Sequence, residues 1–228
     1  MRFFKWYFGK DPELRAAFEN IPDTPEGAEL TRFYMRWVDH EVLRHVWSNL
    51  SQIAPGVWRG NHPTRKRWLW LKSQGIRTVI NFRGISNKPH FRLEQDICAE
   101  LGFELINVSG MGARSAPPKE SLLRMLEVFR TTQRPFFMHC KSGADRTSLA
   151  SAIYLMVIEG QPVSEARKMM SRRFIHFKST RSGVLDAVLD AYEAHGGDFE
   201  TWVRDHYDPA ALQAAFDKGY AARKSRKA

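Results

Sequence analysis

The amino-acid sequence predicts an α/β fold: a central, mostly parallel sheet flanked by helices. Three observations predict it. Strand-like and helix-like segments alternate from residue 56 onward, and that alternation builds parallel sheets covered on both faces. The strand-like segments are short apolar runs with β-branched or aromatic residues, as in strands buried on both sides. Several helix-like segments open at proline or close at glycine.

The elements follow in order. GVWRG at 56–60 reads as a short strand. PTRKRWLWLKSQG at 63–75 starts with proline, ends with glycine and reads as a helix. IRTVINF at 76–82 is a buried strand. Residues 89–101 are helical, with Gly102 as the stop. FELINV at 103–108 is the next strand. PPKESLLRMLEVFRTT at 117–132 is an amphipathic helix opened by Pro117 and Pro118. RPFFMHC at 134–140 is a short apolar strand, and 146–159 is a helix with Gly160 at its end. Further helices are expected at 163–173 and 180–195. Residues 1–52 read as an N-terminal extension with helical pieces, 53–195 as one α/β domain, and 196–228 as a partly helical C-terminal extension.

Composition sets bounds. A chain of 228 residues suits one domain with extensions. At 43% hydrophobic and 26% charged it has the make-up of a soluble globular protein. No segment approaches the roughly 18 unbroken apolar residues of a membrane span. The longest such run, 149–158, contains Ser151 and reads as a buried helix. The N-terminus lacks a sustained apolar stretch and a small-residue cleavage site, so it is a poor secretory signal. Cys98 and Cys140 are the two cysteines. Neither has a CxxC partner or a nearby Cys/His cluster, so no zinc site is written here, and no cofactor is expected. A reducing, cytoplasmic setting follows from the same usage. The net charge of +10 sits at the ends. Residues 218–228 carry five bases and no acid, and residues 1–10 carry three bases and no acid. The tail reads first as a solvated end. With the aromatic N-terminus (Phe3, Phe4, Trp6, Tyr7, Phe8), weak contact with an anionic membrane is the second reading. Nucleic acid is not an expected partner.

The chemistry is concentrated in HCKSGADRTS at 139–148, between an apolar strand and a helix. A loop entering a helix there turns its N–H groups and the helix dipole towards one point, which makes an anion nest. Lys141, Ser142, Gly143, Ala144, Asp145 and Arg146 form that loop. Gly143 allows the tight curl, and the planar fork of Arg146 can hold two phosphate oxygens. Cys140 at the base of the nest would have its thiol pKa lowered by the same charges. A thiolate beneath a bound phosphorus is a nucleophile that would form a phosphocysteine, which water then hydrolyses. His139 orients the loop, and the Thr147 or Ser148 hydroxyl can stabilise the departing thiolate. Five fixed residue types at these offsets arise by chance in such a chain on the order of once in ten thousand.

Cys140-x5-Arg146, with His139 before it and Thr147 after it, resembles the signature of the cysteine-dependent protein tyrosine phosphatase superfamily in its small dual-specificity branch. The upstream stretch IAPGVWRGNHPTRKRWLWLKSQGIRTVINFRG at 53–84 is similar to bacterial and fungal members, so the resemblance covers about 53–192. It implies a sheet flanked by helices, no metal, and hydrolysis of phosphate monoesters through phosphocysteine, making 53–195 the phosphatase domain.

Two positions depart from that pattern. Most of the superfamily carries its general acid as an aspartate before the helix at 117–132, but NVSGMGARSAPP at 107–118 has no Asp or Glu. Asp145 is one candidate, because CKSGADR is similar to a bacterial branch with the acid inside the loop. A neighbouring phosphate dianion would favour its protonated form. The plain reading, a carboxylate stabilising the helix N-terminus, is compatible with that role. Asp145 is the leading candidate; an acid from a distant helix, a site that binds phosphate but barely hydrolyses it, and a substrate whose leaving group needs no acid are the alternatives. Ser148 stands where the family usually has glycine, and would fit if the helix is loosely packed there.

Arg83, Arg114, His176 and Lys178 are candidate substrate-binding residues, with Arg172 and Arg173 beside them. Several cations around one pocket suit an inositol phosphate, a phosphoinositide or a phosphoprotein. A catalytically impaired phosphate-binding adaptor of the same fold is the alternative, and a sulfur-transfer or redox enzyme using Cys140 is a third reading.

Overall fold

The structure is a computed structural model that describes residues 12–19, 21–22 and 24–226. The aromatic residues Phe3 to Phe8 and tail residue Lys227 lie outside the described residues.

Five strands form one sheet in the order β1-β2-β5-β3-β4. They are β1 (Ser51–Ala54), β2 (Val57–Asn61), β3 (Thr78–Asn81), β4 (Glu104–Asn107) and β5 (Phe136–Cys140). All pairings are parallel except β1 with β2. The expected mostly parallel α/β sheet is therefore present. The antiparallel edge is new: residues 56–60 are the second arm of a hairpin whose turn is Pro55-Gly56. Gly56 has φ +73°, which a proline–glycine turn of this kind requires.

Helices cover both faces. On one side lie α4 (Arg65–Ser73) and α5 (Pro89–Leu101), and on the other α6 (Lys119–Thr131), α7 (Arg146–Val157) and α9 (Val184–His195). Strand alternation feeds two cores. Val79 and Phe137 pack with Trp68, Leu71 and Ile97, while Ile80, Phe136, Met138 and Cys140 pack with Leu122, Leu149 and Leu185. The same alternation separates the sheet's last two residues. His139 falls on the α4/α5 side and Cys140 on the α7 side. Helix α7 is buried without a break from Thr147 to Leu155, as its apolar run requires.

The expected helix at 163–173 is broken. It runs as α8 (Val163–Ala166), then two 3₁₀ turns at Arg167–Met169 and Arg172–Phe174. Ser171 is extended between them, and Ile175 follows with φ +59°. A β-branched residue rarely adopts that conformation. The break turns the chain inward and buries Phe174 and His176.

Before the sheet come α1 (Pro12–Glu19), α2 (Pro25–Phe33), a π-helical turn (Tyr34–Val38) and α3 (Glu41–Arg44). Phe18, Tyr34 and Met35 form a small core of their own, and the Tyr34 hydroxyl meets His90 Nδ1 of α5 at 2.9 Å. After α9 come α10 (Phe199–Asp205) and α11 (Pro209–Ser225). Tyr207 donates to Pro117 O at 2.8 Å, and Gln213 Oε1 accepts from Ala116 N at 2.7 Å. These two contacts fasten the segment 108–118 to the body. No helix among the described residues is long and apolar enough to cross a membrane.

Candidate active site

The ends of β2, β3 and β5 are level: Asn61 pairs with Cys140, and Asn81 with His139. The loop 140–146 leaves β5 at this edge and enters α7. Ligands bind at such carboxyl ends in parallel sheets.

Gly143 has φ +70°, and a Cβ there would stand 2.7 Å from Gly60 O and 2.8 Å from Asn61 N. Both the backbone angle and the space demand glycine. Arg59, fully buried in β2, donates Nη2 to Gly143 O and, at 3.1 Å, to Ser148 Oγ. Its guanidinium lies 3.8 Å from the centre of the Phe174 ring. Asn49 donates Nδ2 to Ser142 O at 3.0 Å and to Phe174 O at 2.8 Å. The loop is thus tied from behind by β2 and from the side by the segment before β1.

Ser148 is fully buried, so the serine fits even though that turn is tightly packed. The reason is Arg59: a buried guanidinium needs acceptors, and the serine hydroxyl is one.

Cys140 lies at the loop floor. Burial pushes its thiol up, but the Arg146 charge, the Thr147 hydroxyl and N–H, and the Gly143 N–H together bring it below the ordinary value. Cys98 is the contrast, pushed up to about 12 by burial and by Glu94. Arg146 Nη1 is anchored to Phe82 O at 3.0 Å, while its buried Nε has no partner. The Thr147 hydroxyl is likewise buried without a nitrogen or oxygen partner. These atoms are donors held ready beside the thiol.

Asp145 precedes α7, yet its side chain makes no capping hydrogen bond. Its Oδ1 instead accepts from His176 Nδ1 at 2.8 Å. The other ring nitrogen, Nε2, meets Asp186 Oδ2 of α9 at 2.7 Å. Burial works against charge on His176, but the hydrogen bonds and charges of Asp145 and Asp186 outweigh it and raise its pKa to about 9. His176 is therefore a charged, internal group with no exposed face for a substrate.

The other expected cations divide. Lys141 donates to Val38 O at 3.1 Å and stands 3.8 Å from Asp39 Oδ1. Arg83 is buried in a two-point ion pair with Asp39, at 2.5 and 3.0 Å, so its charge is already matched. Asp39 also binds Arg44 at 2.6 Å. Lys178 pairs with Asp190 on the surface at 2.9 Å and does not reach the loop. Arg114, Arg172 and Arg173 are exposed.

Behind the loop, His139 Nε2 lies 2.6 Å from Glu94 Oε1, close but not in the alignment of a hydrogen bond. His62, Glu94 and His139 bring three donor atoms within 4.8 Å of one another. They have the donor types of a metal site, a set the sequence does not announce because they come from three separate elements. Glu94 and His139 already engage each other, and Arg83 Nη1 stands 3.3 Å from His62 Nδ1. Burial and the charges of Arg83 and Arg44 hold His62 well below the usual histidine range.

Sequence reasoning missed Arg59, Asn49, Asp39, Glu94 and Asp186. The one signal was Arg59, a charge in the middle of a strand bound for the core.

Comparison with known proteins bears on this geometry. The family described as "DSP-PTPase phosphatase fused to NAD+ Kinase" matches residues 38–185. The dual specificity protein phosphatase TpbA of Pseudomonas aeruginosa (strain UCBPP-PA14) is 26% identical over 127 residues, 54% of each chain. NAD kinase 2, chloroplastic, of Arabidopsis thaliana is 28% identical over 100 residues, 43% of this chain and 10% of that protein. The chain thus spans about half the length of the Pseudomonas relative. A solved structure from Shewanella putrefaciens CN-32, assigned to DUF442, superposes with a TM-score of 0.53 at 18% identity, covering 68% of this chain and 97% of that one. The superposition speaks for the fold.

Proposed function

The chain belongs to a family of dual-specificity-type protein tyrosine phosphatases, the one fused to NAD+ kinase, and from that premise we propose that it hydrolyses phosphate monoesters through a phosphocysteine at Cys140. The observation that carries the reading is the thiol at the loop floor, lowered below its ordinary value by Arg146, Thr147 and Gly143 despite full burial. The buried Arg146 Nε, which has no partner, supports binding of an anion beside that thiol.

Substrate phosphate enters the nest formed by residues 141–146. The loop N–H groups and the free Nε edge of Arg146 hold its equatorial oxygens. Cys140 Sγ attacks phosphorus, the S–P bond forms and the P–O bond to the leaving group breaks. Asp145 protonates the leaving oxygen. Water then attacks phosphorus, Asp145 takes its proton, and the thiolate departs with a hydrogen bond from Thr147. Partner usage supports Asp145 as the acid: Asp39 is spent on Arg83 and Arg44, and Glu94 faces His139 behind the loop.

The substrate class is a phosphoprotein or an inositol or lipid phosphate. Lys141 inside the loop and exposed Arg114, Arg172 and Arg173 favour a substrate with further negative charge. Arg83, His176 and Lys178 are withdrawn from that role by their carboxylate partners.

Cys140→Ser tests the mechanism. Turnover of p-nitrophenyl phosphate is expected to vanish while binding of vanadate or phosphate persists. Surviving hydrolysis would refute the nucleophile. Stoichiometric binding without phosphate release by the unaltered protein would favour the adaptor reading.

A further inference from the structure

His176 has no place in the mechanism so far, and its surroundings are specific. It is 1% exposed, and its two ring nitrogens each face a carboxylate oxygen, at 2.8 Å for Asp145 and 2.7 Å for Asp186. Each contact needs a proton between nitrogen and oxygen, because ionised carboxylates only accept. Three groups therefore hold two protons. A neutral histidine with two carboxylates would hold one. The surplus proton lies one hydrogen bond from the residue assigned as acid. The charged groups facing the ring are Asp145 at the start of α7 and Asp186 of α9. On its own segment, Arg173 turns to the Phe174 ring and Lys178 to Asp190.

We propose that His176 is a proton relay, positioned by Asp186, that supplies Asp145 with the proton it passes to the leaving group in each turnover. The inference rests on the reading of Asp145 as the acid. As the P–O bond breaks, the Nδ1 proton of His176 passes through the Asp145 carboxyl to the leaving oxygen, which leaves Asp145 ionised. The ring becomes neutral and keeps its Nε2–H on Asp186. When water attacks the phosphocysteine, its proton passes to Asp145 and back to Nδ1. The set thus ends as it began, and the pair titrates as a unit. The arrangement answers a difficulty of the loop acid. A carboxylate beside a cationic histidine would stand ionised, yet the first step needs a proton at that place. The relay supplies it without an acid on the segment 108–118. It also accounts for the break in the chain between 166 and 176: a continuous helix would not aim His176 at the loop.

The test reads kcat/KM against pH with two substrates. Phenyl phosphate needs its leaving group protonated, and 2,4-dinitrophenyl phosphate does not. In the unaltered protein, activity on phenyl phosphate should fall as pH rises through about 9, where His176 gives up its proton. Activity on the dinitrophenyl ester should lack that limb. Asp186→Asn keeps an acceptor for Nε2–H but removes the charge that holds the imidazolium. It should move the limb about two pH units lower and so cost about 10-fold on phenyl phosphate at pH 8, with a change under about threefold on the dinitrophenyl ester. His176→Asn should show the same discrimination, and thermal melts identify any variant that fails to fold. A common limb for both substrates in the unaltered protein, or parallel losses in Asp186→Asn, would overturn the relay. Asp145→Asn separates the two claims. Equal losses on both esters there would remove Asp145 as acid, and with it the premise. A selective loss there, with none in Asp186→Asn, would remove the relay alone.

Discussion

At the scale of single residues, the two cysteines show how place sets chemistry. Both are buried and unpaired by disulfide. Cys98 faces apolar side chains and Glu94, and burial there protects the thiol form. Cys140 has Arg146 and a ring of N–H donors, and they reverse the effect of burial. Lowering the folded pKa increases the thiolate fraction at every pH below the ordinary thiol value of about 8.5. Iodoacetate at pH 6.5 should therefore label Cys140 and spare Cys98 in the folded protein, as peptide mass spectrometry would show. Equal labelling, or Cys98 first, would contradict that contrast. The residues of 139–148 were legible because their chemistry depends on neighbours in sequence. The pairing of Ser148 with Arg59, 89 positions away, was not. Neither explains itself alone, since the serine is tolerated in a packed turn only because a guanidinium comes from another strand to meet it.

At the scale of elements, the strand–loop–helix unit does most of the work. β5 places Cys140 on the α7 side, and α7 turns its first N–H groups back towards it. The loop can close only if Gly143 stays glycine. Gly143→Ala would put a methyl group 2.7 Å from the Gly60 carbonyl at a backbone angle that costs about 1–3 kcal/mol in strain. Turnover should fall by about 100-fold or more, since a loop shift of about 1 Å misplaces every donor, while circular dichroism keeps the native helix content. Unchanged kcat would show that the loop is not the rigid cradle described. The parallel strands and their helices were legible from apolar runs bounded by proline and glycine. The helix at 163–173 was misread because VSEARKMM carries an ordinary helical pattern. Tertiary demand overrode it: Phe174 must reach Arg59, and His176 must reach Asp145 and Asp186. The β1 hairpin was missed although Pro55-Gly56 is a recognisable turn pair, with φ +73° at the glycine.

At the scale of the whole molecule, segments outside the sheet complete the site. The segment before β1 brings Asp39 to Arg83 and Arg44, and Asn49 to the loop itself. The matched family region begins at residue 38, one position before Asp39. The segment after α10 and helix α11 hold 108–118 through Tyr207 and Gln213. Apart from Asp39 with Arg44, these contacts have no local sequence signature, since each joins residues far apart along the chain. Charge is arranged likewise. The chain is strongly basic, yet Arg83 beside the loop is matched by Asp39, while the buried Nε of Arg146 has no partner. The account stands or falls on a covalent intermediate at one sulfur. The direct measurement mixes the protein with p-nitrophenyl phosphate, denatures it within milliseconds and maps bound phosphate by mass spectrometry. The account predicts a phosphoryl group on Cys140 that forms with the nitrophenolate burst and is absent from Cys140→Ser. Steady turnover with no phosphate on Cys140, or with phosphate on another residue, would contradict it.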